Sequence, residues 1–104
     1  MIDETSVRDK ALKMQEYLHR YPGGYPDEQA RHDLHRLADD VLLAGQHHAY
    51  IAEKVTCIKG HADILYSHRK HEKYASGHID GASQVRTFIS QDIQALTSWS
   101  QPKA

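Results

Sequence analysis

The stretch SHRKHEKYASGH, residues 67–78, gathers three histidines, one arginine and two lysines within twelve positions. Guanidinium and ammonium groups grip phosphate or carboxylate. Histidines ligate metals or carry protons. Cations in the last turns of a helix simply complement its negative end. Upstream, His47, Lys54, His61 and His68 recur every seven residues, so on a helix they form one line. Continued through Arg69, Lys70 and Lys73, that line is the candidate binding site for an anionic ligand: a nucleotide, a phosphate or nucleic acid. The competing reading is a solvated rim whose stems border packed seams while the charged heads reach water.

Metal chemistry has weaker candidates. His32 and His35, and also His68 and His71, are spaced i, i+3 and can share a helical face. Two histidines at helical spacing do not complete a site. There is no HExxH and no carboxylate-plus-ExxH pattern of a di-iron bundle. No cofactor is implied. Cys57 and His61 are four apart, but a cysteine among apolar neighbours usually fills a core. No glycine-rich phosphate loop stands between a strand and a helix, and nothing aims several histidines at one point. The sequence therefore points to a binding protein and not to an enzyme.

Composition sets the frame. The chain has 104 residues, with thirteen Lys and Arg against fourteen Asp and Glu, nine histidines and one cysteine. Near-neutral charge argues against a general nucleic-acid binder. A single cysteine excludes an internal disulfide and suits a reducing cytoplasm. The opening MIDETSVRDK has no apolar stretch of the kind a secretory signal carries, and no apolar run approaches a membrane span.

The elements that must position these residues are helices. Val7, Ala11, Met14 and Leu18 mark a first helix near 5–20, with Asp3 or Thr5 as its cap. YPGGYP stops it, and Pro26 restarts a helix. From Ala30 the apolar spacing runs through Leu34, Leu37, Val41, Ala44, His48, Ile51, Val55, Ile58, Ala62 and Leu65 in alternating threes and fours. That is an unbroken heptad seam, and it predicts one long helix near 26–74 with Gly45 inside it. His48 is the polar member, suited to fixing register. A second stripe, Leu43, Tyr50, Cys57 and Ile64, predicts neighbours on two sides. A third helix is expected near 84–99, with Ser83 as its cap. SQPKA reads as a tail.

A helix of that length would span roughly 70 Å, more than two short helices can cover. Either the helix breaks near Gly45 and folds back, or a second copy covers the seam. The unbroken heptad phase across Gly45 favours the second, so Leu37, Val41, His48, Ile51, Val55, Ile58 and Leu65 are expected to meet a second copy. The sequence reading is a single all-α domain over residues 1–104: short helix, long central helix, short C-terminal helix, in an oligomeric bundle. Its expected function is that of a small cytoplasmic homo-oligomeric binding protein, an adaptor, regulator or inhibitor of a partner macromolecule. The alternative is an anionic-ligand or nucleic-acid binder through the basic row. Metal binding in a helical bundle ranks below both.

Overall fold

The computed structural model describes residues 2–100; residues 101–104 of the expected tail lie outside the described residues. Helix α1, Glu4–Arg20, begins where Asp3 Oδ1 accepts the amides of Thr5 and Ser6 at 3.0 and 3.4 Å. Its buried face is Val7, Ala11, Met14 and Leu18, as the spacing predicts. YPGGYP then turns through Gly23 and Gly24, whose φ values of 85° and 89° are open to glycine at little cost. The loop is tied to the far end of α3 (Ala49–Leu65): Gly24 N donates to Leu65 O at 3.1 Å, and the Tyr66 hydroxyl donates to Tyr21 O at 2.6 Å.

Helix α2, Glu28–Ala44, is capped by Asp27, which accepts from Ala30 N at 2.9 Å. Here the structure corrects the sequence. The long helix over 26–74 does not form; the chain reverses across residues 45–48, and α3 follows. Gln46 and His47 take left-handed φ values of 52° and 57°. His48 then caps α3, its Nδ1 accepting from Tyr50 N at 3.3 Å. Gly45 permits the turn because a Cβ there would run into the buried side chain of Ile51. Antiparallel pairing of α2 and α3 is fixed by Arg31 and Asp63 at 3.2 Å and by Asp39 and Lys59 at 2.9 Å.

The heptad seam survives this change because both arms of the hairpin face the same core. Val41, Ile51, Val55, Ile58 and Leu65 are buried within one chain, and Leu37 packs against them. Fully burying such a side chain stabilises by about 1.5–3 kcal/mol. Its apolar partners come from α1, α2 and α4 of the same chain, so the seam no longer requires a second copy.

α3 also ends earlier than expected, at Leu65. Ser67 Oγ bonds back to Ile64 O and accepts Lys70 N at 3.0 Å, a local alternative to the helical ladder. A short 3₁₀ helix, Lys70–Tyr74, follows. Arg69, Lys70, His71 and Lys73 thus lie beyond the helix they were expected to end. Asp80, and not Ser83, caps α4 (Gly81–Thr97), accepting Ser83 N at 2.8 Å. α1 packs on α2 and α4, and α3 packs on α2 and α4, closing a four-helix bundle around one core. Its longest extent is 43 Å, too short for the single 70 Å helix.

Candidate functional site

The basic row divides when the helix breaks. His47 stands exposed in the turn, and His68, Arg69, Lys70 and Lys73 are exposed beyond α3. Between them, Lys54 and His61 border the contact of α3 with α4. Lys54 Nζ lies 3.6 Å from Asp92 and 5.5 Å from the Tyr50 ring centroid. The His61 ring packs on Phe88 with centroids 5.4 Å apart, and its Nδ1 is buried without a hydrogen-bond partner. Arg69 pairs with Glu72 at 3.3 Å, and Lys73 lies over Tyr74. The seven residues do not converge on one cavity.

The metal candidates separate as well. His35 Nε2 meets Asp63 Oδ1 at 2.8 Å and Lys59 O at 3.1 Å, so its role is to join α2 to α3. His32 is exposed on α2. His68 and His71 no longer share a helix, because α3 has ended before them. Among the described residues no group of three or more His, Cys, Asp or Glu is placed to hold a metal ion.

Around these positions runs a polar frame. Arg31 bridges Glu28 and Asp63 and holds the Glu28 carboxyl below its usual range by hydrogen bonding. On the α1 side, the Tyr17 hydroxyl donates to Asp33 at 2.8 Å. That bond lowers the Asp33 carboxyl, while burial first and the bond second push the Tyr17 hydroxyl up. These contacts fasten helices together.

The second apolar stripe gives the clearest departure from expectation. Leu43 is 65 % exposed and Tyr50 is 41 % exposed. Cys57 is also exposed and is no core filler; only Ile64 packs against the core. Among the described residues no further helix packs over that side of α3, whose other flanks are taken by α2 and α4. Beside Tyr50 lies a cleft of about 420 Å³ bordered by His48, Ala95, Ser98 and Trp99. The His48 and Trp99 rings meet nearly edge-on, with centroids 5.4 Å apart. Thus the α2–α3 turn and the C-terminal end of α4 together build an apolar end to the bundle.

No family model, curated protein or solved structure matches the chain. Function must rest on the chemistry of these surfaces. No helix of the described residues is long and apolar enough to cross a membrane. The stripe was visible in the sequence, but its exposure was not. The pairing of His48 with Trp99 had no local signal, since the two residues lie on different elements.

Proposed function

We propose that this chain is a small cytoplasmic helical binding protein, an adaptor, regulator or inhibitor of a partner macromolecule, which works by docking and not by catalysis. Its docking surface is the apolar end formed by Leu43, Tyr50, Cys57 and the cleft beside Trp99. One observation carries the reading: the core is complete within a single chain, yet Leu43 and Tyr50 remain exposed next to an apolar cleft. A lone exposed leucine is ordinary on a protein surface. Its conjunction with a tyrosine, a thiol and a cleft lined by tryptophan is the kind of patch that marks an interaction site. The exposed Cys57 thiol suits a reducing compartment.

The stripe Leu43, Tyr50 and Cys57 carries no charge, so two copies can meet there about a two-fold axis without setting like charges against each other. The occupant we infer is a second copy of the chain, bound through the turn end instead of through the heptad seam. Sedimentation velocity across a concentration series tests this. Wild type is expected to show a monomer–dimer equilibrium. Leu43→Lys with Tyr50→Lys is expected to sediment as monomer while keeping its melting midpoint. A wild type that remains monomeric at every concentration would refute self-docking.

An anionic ligand is the second reading. The basic row supports it weakly, since Lys54 and Arg69 already face carboxylates.

A further inference from the structure

On the side of the bundle where α1 meets α4 lies a second cleft, of about 370 Å³, whose lining includes Gln15, His19, Arg86 and Ser90. That volume falls in the range of small-molecule pockets, about 300–1,000 Å³. Its charge is one-sided: Arg86 lines it, and no aspartate or glutamate does.

Arg86 is the telling residue. It is half-buried, and among the described residues its interaction is a Coulombic one with Asp80, with no ion pair within 4.0 Å. Arg8, Arg31, Arg36 and Arg69 each have a carboxylate partner within 4.0 Å. A partly desolvated guanidinium that no carboxylate grips has five donors to satisfy, in a planar fork matched to an oxyanion. The nearest candidate inside the chain is Asp80, in the adjoining cleft that Arg86 also borders. Asp80 is already occupied: its two oxygens receive Ser83 N at 2.8 Å and Ser83 Oγ at 3.0 Å.

The remaining donors are held in place by the fold. Gln15 Nε2 donates to Ser90 Oγ across the cleft at 3.3 Å. Ser90 Oγ also lies 3.4 Å from Gln15 Oε1, to which it can donate, so a ligand would draw the Ser90 hydroxyl proton away from this long contact. His19, in the last turn of α1, brings an imidazole from the opposite helix. Donors from two facing helices suit a tetrahedral oxyanion better than a planar one.

We propose that the α1/α4 cleft binds a small molecule through its phosphate monoester, with Arg86 as the bidentate clamp and Ser90 and His19 completing the set. The site uses α1 and the first half of α4, whereas the turn-end cleft uses the last residues of α4 and beyond, and it does not depend on docking there.

Amide chemical-shift titration of the full chain at low ionic strength tests it, using inorganic phosphate, phosphoserine and acetate as probes. Phosphate and phosphoserine should move amides at the C-terminal end of α1 and the first half of α4. Arg86→Gln should weaken both by about tenfold or more, since a charge-assisted hydrogen bond contributes about 1.5–3 kcal/mol. Arg86→Lys should bind at an intermediate level, keeping the charge but losing the fork. Arg20→Gln, an exposed neighbour outside the cleft, should bind as wild type. Unchanged thermal melts confirm that the variants fold. Binding unaffected by Arg86→Gln, or shifts scattered over the whole surface, overturns the site. Acetate binding as tightly as phosphate overturns the choice of a tetrahedral group.

Discussion

Gly81→Ala should destabilise the protein more than any other single-methyl change at a glycine. Gly81 is the first residue of α4, and it is buried against the 3₁₀ helix. A Cβ there would lie 2.6 Å from the His71 carbonyl carbon and 3.0 Å from Glu72 Cα, with the His71 oxygen nearer still. All three are backbone atoms, so no rotamer change relieves the overlap. The two segments must separate, which places the loss at or above the upper end of the usual overpacking range, about 3 kcal/mol. Gly60→Ala is the matched control. It lies inside α3, where a Cβ would meet nothing within 4 Å, and alanine should stabilise the helix by about 1 kcal/mol. Urea unfolding followed by circular dichroism measures both. The two variants should move the midpoint in opposite directions, with the slope unchanged. If Gly81→Ala is neutral or stabilising, the stretch after α3 does not seat on the start of α4, and the path of residues 67–80 is wrong.

Three further outcomes follow from the same geometry. His47 has a left-handed φ of 57°, so His47→Gly should raise stability by about 0.5 kcal/mol, the strain of about 1–2 kcal/mol less the entropy that glycine adds to the unfolded chain; a loss, measured by the same urea titration, would contradict a left-handed residue at this position. Tyr66→Phe should cost about 1 kcal/mol by removing the hydroxyl bond to Tyr21 O. Because burial raises the Tyr66 hydroxyl above its ordinary range, its stabilisation is complete below about pH 10 and is lost as pH rises through the folded value; thermal melts in alkali should show a shallower decline in Tyr66→Phe, and an identical decline would exclude this tyrosine. Asp33 is lowered chiefly by Tyr17, so its contribution is complete above about pH 4 and is lost as pH falls through the folded value. Tyr17→Phe should therefore flatten the acid side of the melting profile, and an unchanged profile would remove the bond from the account.

What the sequence revealed depended on whether a signal was local. Asp3 as a cap and Val7, Ala11, Met14 and Leu18 as a buried face are local, and both are present in α1. The all-helical class was legible for the same reason. The hairpin was open only as an alternative to a continuous helix. Its turn is short and keeps the phase of the apolar positions, so two antiparallel helices facing one core read as one helix facing a partner. The clue was Gly45 followed by a histidine able to cap, and the residue count gave a second: a roughly 70 Å helix does not fit a chain whose radius of gyration is 13.8 Å. A seam thought to be uncovered implied an oligomer, and the stripe of Leu43, Tyr50 and Cys57 was assigned to packing when it faces outward. Nothing in SQVRTFIS sets Arg86 apart; only the tertiary structure places it half-buried at the edge of a cleft.

The most direct test of the docking surface is an amide chemical-shift map of the wild-type protein recorded over a range of its own concentration. The account predicts concentration-dependent shifts at the C-terminal end of α2, through the turn at residues 45–48, along the outer side of α3 to Cys57, and around Trp99, with α1 unmoved. Shifts centred on α1, or none at any concentration, would contradict it.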